Sequence, residues 1–228
     1  MDKSIEQILL IAPVLLFSMV AHECAHGYAA LKQGDTTAYA LGRLTWNPIK
    51  HIDPFMTILL PLLTWRLTGL IFGGAKPVPV IPRNYRNYKR GDIIVSLAGV
   101  ATNFVIAICC IPLIVLVGWL GRVIPSLTTS GAILQAMLLY GILINLGLAA
   151  FNLIPIPPLD GSHVFKYILP PAWALGYQRL GARGLLILFL LVGFGAPVLD
   201  LWFAPVLALS RLATRAVFPY ILPSPWTM

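Results

Sequence analysis

The 228-residue chain is 58% hydrophobic and 11% charged, with a mean hydropathy of +0.85, a balance that excludes a soluble globular domain and points to an integral membrane protein. Its net charge of +8 would suggest nucleic acid in a soluble protein, but here the basic residues fall in short loops between apolar segments. They read as topology signals, so the expected surroundings are a lipid bilayer and no nucleic acid.

The first apolar segment covers residues 4–30. Asp2, Lys3 and Glu6 do not form the positive cluster of a cleavable signal, so the segment is expected to be a retained transmembrane helix. Its last third holds His22-Glu23-Cys24-Ala25-His26, an H-E-x-x-H pentapeptide. Residues four apart on a helix are about 40° out of phase, so both imidazoles share one face and can hold a single Zn²⁺. Glu23 lies about 100° from His22 on that helix, too far round to be a third ligand. Its carboxylate is free for general-base work on a metal-bound water. An ionisable group at membrane depth costs roughly 2.5 to 3.5 kcal/mol on insertion scales, and three in five residues need a shared reason. A divalent metal supplies one, and the pattern suggests a protease that works inside the bilayer.

The next apolar segment, 55–72, contains Pro61, Arg66 and Gly69 and is short for a crossing. Lys32, Arg43 and Lys50 precede it, and Lys76, Arg83, Arg86, Lys89 and Arg90 follow it. A crossing would put these two basic loops on opposite sides, against the positive-inside rule, whereas a re-entrant segment puts both in the cytoplasm. Lys166, Arg179, Arg183, Arg211 and Arg215 then also face the cytoplasm, and the active site lies towards that side. Gly73-Gly74-Ala75-Lys76-Pro77-Val78-Pro79-Val80 reads as a short β-strand or loop at the cleft edge, able to pair with an unwound substrate or else serve as a plain proline-rich loop.

Segments 92–120 and 132–153 read as further spans, and Cys24, Cys109 and Cys110 are expected to be free thiols. After the second of these comes Asn152-Leu153-Ile154-Pro155-Ile156-Pro157-Pro158-Leu159-Asp160-Gly161, whose prolines must break the helix and turn the chain. A catalytic zinc ordinarily has three protein ligands and one open position. The candidates for the third are His51, Asp53, His163 and Asp160; the proline turn favours Asp160, with an ordinary helix cap as the plainer alternative. Segments 184–199 and 201–217 carry no chemical motif and read as packing or gating helices. The expected fold is an all-α membrane protein of about five transmembrane helices with a re-entrant segment, forming one polytopic domain over 1–228 with a core at 4–170 and C-terminal helices at 184–217.

Together, H-E-x-x-H in an apolar helix, Phe72-Gly73-Gly74-Ala75-Lys76-Pro77-Val78, Leu97-Ala98-Gly99-Val100-Ala101-Thr102-Asn103 and the Asn152–Gly161 stretch resemble the site-2 protease family of intramembrane zinc metalloproteases. The likeness is greatest to short bacterial and archaeal members without an inserted PDZ or CBS domain. It implies one Zn²⁺ per chain on His22, His26 and Asp160, with Glu23 as the catalytic base. Asn152 matches an asparagine that bonds the substrate near the scissile carbonyl, and Asn103 one in the family's A-G-P-x-x-N stretch, where this chain has Val100 in place of proline. Asn145, two turns before Asn152, supports the cleft or bonds between helices. Gly73, Gly74 and Lys76 are the expected substrate-contacting positions of the extended stretch. His51 and Asp53 lie in a stretch that resembles one common in the short members, and they are expected to support a metal ligand or brace a loop rather than bind metal. The implied activity is hydrolysis of peptide bonds in or near transmembrane helices of membrane proteins, in the cell membrane. A metal transporter or a catalytically silent scaffold is the alternative.

Overall fold

The computed structural model describes residues 3–60, 62, 63, 66 and 73–223. Helix α1 (Lys3–Gln33) runs for 31 residues, with Glu6 in its first turn and Lys32 in its last, the charge order that suits a helix dipole. Helix α2 (Thr37–Ala40) is a single turn. After it come a 3-10 turn at Pro48–His51 and a π-helical turn at Pro54–Leu59. Helix α3 (Tyr88–Val123) is the longest at 36 residues, and α4 (Thr128–Asn152) follows with 25. The chain closes with α5 (Asp160–Phe165), α6 (Pro171–Arg179), α7 (Gly181–Phe194) and α8 (Ala196–Val217).

Among the described residues, four helices, α1, α3, α4 and α8, are each long and apolar enough to cross a membrane. The expected count of about five is reached if the bent pair α6 and α7 is one further span. Helix α7 has 14 residues, about 21 Å at 1.5 Å per residue and short of a bilayer core of about 30 Å. It stops at Phe194 because Gly195 follows it, and Pro197 then sits in the first turn of α8, where a missing N–H costs nothing. Only as a pair bent by 80° do α6 and α7 meet the same length test.

The strand expected over residues 73–80 is not formed: residues 73–81 have no regular structure, and the described residues contain no strand. The reason is local. Pro77 and Pro79 have no N–H for a ladder, and the flanking N–H groups go to separate partners. Gly74 donates to the Met56 carbonyl (3.0 Å) and Lys76 to that of His51 (2.8 Å). The Arg43 guanidinium donates to the Lys76 and Pro77 carbonyls. Half of the re-entrant segment expected at 55–72 lies outside the described residues. Its described start is the turn Pro54–Leu59, capped by Asp53, whose Oδ1 accepts the N–H groups of Phe55 and Met56 at 2.9 Å each.

The chain divides into two compact units. One comprises Met1–Ser18, Asn103–Ala149 and Trp202–Met228. Its core contains Ala107, Ile114, Ile142 and Leu146, and two buried amides lock its helices. Gln135 donates to the Ile114 and Tyr220 carbonyls and accepts the Leu222 N–H. Asn145 donates to the Ser18 hydroxyl over 2.8 Å. Such polar pairs hold membrane helices together where the hydrophobic effect does not act between them. The other unit comprises Met19–Thr102 and Ala150–Leu201 and contains the H-E-x-x-H turn and the proline-rich turn. Cys24, Cys109 and Cys110 are free thiols, as expected.

Candidate metal centre

His22 and His26 occupy successive turns of α1 and turn their Nε2 atoms towards each other at 2.9 Å. Asp160, the first residue of α5, brings Oδ2 to 3.2 Å from His22 Nε2 and 3.3 Å from His26 Nε2. Ligands at about 2.0 to 2.1 Å around a tetrahedral zinc stand roughly 3.3 Å apart, so the three atoms are spaced as one ion requires. The chemistry of the donors agrees. His26 Nδ1–H donates to the Val95 carbonyl of α3 over 2.7 Å, which commits the ring to the tautomer whose Nε2 is an unprotonated donor to metal. Asp160 Oδ2 is buried and accepts no hydrogen bond among the described residues. Lone-pair donors that converge on one point repel one another unless a proton or a cation lies between them, and the spacing of these three leaves room for a cation. The group fits Zn²⁺, and it is the one metal-ligand cluster found among the described residues.

The turn that delivers Asp160 follows from its prolines. Helix α4 stops at Asn152, and the next backbone bonds are short: Ile154 N–H to Phe151, Leu159 N–H to Ile156 and Ser162 N–H to Leu159. Gly161 is needed here, because a Cβ at that position would overlap the Leu153 carbonyl. Underneath, Ile154 and Leu159 pack on Leu188 of α7, and the Tyr177 hydroxyl donates to the Pro155 carbonyl at 3.0 Å. The segment at 184–199 is thus a packing element of the site.

A cavity of about 220 Å³ opens on the three ligand residues, with Glu23 and Asn152 also in its wall. Glu23 Oε2 accepts the Val78 N–H at 2.7 Å, tying the carboxylate to the extended stretch. The stretch meets the cavity through Pro77, Val78 and Val80; Gly73, Gly74 and Lys76 lie before that point and do not line it. Asn103 and Asn145 are fully buried in the other compact unit, where Asn145 bonds Ser18; neither lines the cavity. His51 donates from Nε2 to the Thr45 carbonyl (2.8 Å) and Asp53 caps a turn, which makes both loop braces. His163 faces Asp92 at 3.3 Å and is not in the metal-ligand cluster.

Sequence reasoning passed over four residues. Buried Asp92 of α3 accepts from Lys166 Nζ (2.6 Å) and the Tyr167 hydroxyl (2.8 Å), joining α3 to the chain just after α5. Buried Asp35 accepts from the N–H groups of Ile81 and Thr37, the Thr37 hydroxyl and the Asn84 amide. Val95 and Gly99 of α3 stand against the histidines. An acidic residue at the start of an apolar segment was the available signal for Asp92, and Gly99 stands within the Leu97–Asn103 stretch with no role read for it there; Asp35 and Val95 have no local pattern.

Membrane-length helices and an H-E-x-x-H pair completed by an aspartate define a membrane metalloprotease of the zinc-dependent class. The profile of Peptidase family M50 matches residues 121–191, the part that contains the proline turn. The chain is 33% identical over 225 residues to the Bacillus subtilis protein named "Putative zinc metalloprotease YwhC", covering 97% of this chain and 98% of that one. It is 30% identical over 195 residues to the Mycolicibacterium smegmatis protein named "Putative zinc metalloprotease Rip2", covering 86% of this chain and 70% of the relative. No solved structure matches. The chain belongs to peptidase family M50, the site-2 protease family, and is a zinc metalloprotease.

Proposed function

We propose that this protein hydrolyses peptide bonds within or near transmembrane helices of membrane-protein substrates, with one zinc per chain and its active site towards the cytoplasmic side of the cell membrane. The observation that carries the reading is the meeting of His22 Nε2, His26 Nε2 and Asp160 Oδ2 within 3.3 Å, in a cavity that Glu23 also lines.

A zinc ion held by His22, His26 and Asp160 supplies Lewis-acid polarisation and a water more acidic than bulk water. Glu23 acts as the base, taking the proton from the attacking water and giving it to the leaving amine nitrogen as the C–N bond breaks. Its bond from Val78 N–H holds the carboxylate in place during both transfers. The Asn152 side-chain amide donates to the carbonyl oxygen of the scissile bond as negative charge develops there.

A helical substrate keeps its carbonyls in hydrogen bonds and must unwind before it can be cut. Residues 73–80 receive the unwound segment in this reading. Because Pro77 and Pro79 have no N–H, the segment offers carbonyl acceptors rather than a full ladder. Replacing Gly73 and Gly74 with valine tests this part, and unchanged cleavage would remove it.

The test of the whole is cleavage of a model membrane helix by purified protein, with and without zinc chelation. Fragments are expected with the wild type and absent with the chelator or with Glu23→Gln. Fragments that persist in Glu23→Gln would overturn the reading. The same variant, used as affinity bait, should retain uncut substrate.

A further inference from the structure

Gly99 lies in the middle of α3, where glycine is the poorest helix former after proline, so its presence needs a spatial reason. The surroundings supply it. A Cβ built on Gly99 would stand 2.5 Å from His26 Nε2, 2.6 Å from His22 Nε2 and 2.5 Å from His22 Cε1. Ordinary contacts of a Cβ are 3.4–4 Å, so such a carbon is far inside contact with both ligand nitrogens.

The rings have little freedom to yield. His22 is 7% exposed, and His26 is fixed by its bond to the Val95 carbonyl one turn before Gly99 on the same helix. A methyl at position 99 would therefore take space that an ion needs, or drive the two imidazoles off their common point. A zinc held at about 2.0 to 2.1 Å from both nitrogens tolerates neither.

We infer that Gly99 reserves the coordination volume of the metal, with a single turn of α3 fixing one ligand through Val95 and keeping space for the ion through Gly99. Gly99 is a positioning residue in this scheme, and the inference rests on the metal reading of His22, His26 and Asp160. It separates Gly99 from glycines that serve only close helix packing.

The experiment measures zinc affinity of the full chain in detergent by competition with a chromogenic chelator, together with Tm in zinc and in chelator. Gly99→Ala is expected to weaken zinc binding at least ~100-fold, the upper end of the usual loss from disturbing a ligand's support, and to lose the zinc-dependent rise in Tm. Gly147→Ala should bind zinc like wild type, since a Cβ there meets nothing within 4 Å. In a His22→Ala/His26→Ala background the same Gly99→Ala change should leave Tm unchanged, because the rings it strikes are gone. Zinc affinity of Gly99→Ala within a few-fold of wild type would overturn the inference. An equal fall in Tm in both backgrounds would also overturn it, marking position 99 as a packing site only. Wild type that binds no zinc would overturn the metal reading itself, a result the wild-type titration separates from failure at Gly99.

Discussion

The Val78 backbone N–H donates to Glu23 Oε2 over 2.7 Å, so the extended stretch that borders the cavity also holds the carboxylate next to His22. Residue 78 already precedes Pro79 and is confined to extended backbone, so proline fits there and removes the donor. A hydrogen bond to a charged group is worth about 1.5 to 3 kcal/mol, or roughly 10- to 100-fold in rate if it acts in the transition state. Val78→Pro is expected to lower kcat by that factor while zinc content stays at the wild-type level. Val78→Ala keeps the N–H and should retain most of kcat; equal loss in both variants would mean the side chain matters and the bond does not.

Acid should loosen the same stretch through Asp35. Burial alone would raise its carboxyl, but bonds from Ile81 N–H, the Thr37 hydroxyl and N–H, and the Asn84 amide hold it below the ordinary 3.8. Between the two values the unfolded chain binds more protons than the folded one. The stabilisation is therefore complete above pH 3.8 and is lost as pH falls towards the folded value. Asp35→Asn should lower Tm at pH 7, and the gap to wild type should narrow on acidification from pH 6 to pH 3. A gap that stays constant would show that the Asp35 charge contributes nothing to stability.

Asp92 gives a larger effect. It is 2% exposed and accepts from Lys166 Nζ at 2.6 Å, so truncation leaves an ammonium buried without its counter-charge. Breaking such a pair from one side costs about 3 to 5 kcal/mol. Asp92→Ala should show a clear fall in Tm, and Asp92→Ala/Lys166→Met should recover much of it because no charge remains stranded. Failure of the double variant to recover stability would place the value of Asp92 in its other bonds, from Tyr167 and His163.

The convergence of His22, His26 and Asp160 was legible because its signals are local. His22 and His26 share a helix face by spacing alone, and the prolines at 155, 157 and 158 announce the turn that presents Asp160. The spans at α1, α3 and α4 follow from apolar length. Where reading failed, the information was non-local or was outweighed. The Asp35 bond to Ile81 N–H, the Asp92 pair with Lys166 and the approach of Gly99 to the histidines all join chain segments far apart in sequence. The stretch at 73–80 reads as strand or loop, and Pro77 and Pro79, which have no N–H for a ladder, favour the loop; Gly195 ends α7 so that it meets spanning length only together with α6. Of the two roles open to Asn145, cleft support or a bond between helices, the amide makes the second, to Ser18 of α1.

Segment 184–199, which contains most of helix α7, reads as a packing or gating element, and Leu188 makes the packing role testable. It is 1% exposed and fills the space beneath Ile154 and Leu159, the residues that carry the turn to Asp160. Within a bilayer the hydrophobic term between helices is small, but truncating a buried leucine still forfeits its dispersion contacts and leaves a void. Leu→Ala changes in cores cost about 2 to 5 kcal/mol, and the lower end is expected here. Because the lost support lies directly under Leu159, the turn should relax and the Asp160 carboxylate should meet the histidines less often. Leu188→Ala is therefore expected to weaken zinc binding by about tenfold, the lower end of the loss from disturbing a ligand's support. Phe194→Ala removes a larger side chain from the same helix, but one that is 82% exposed, and should change neither Tm nor zinc affinity. If Leu188→Ala lowered Tm without touching zinc affinity, α7 would stabilise its unit without positioning the ligand.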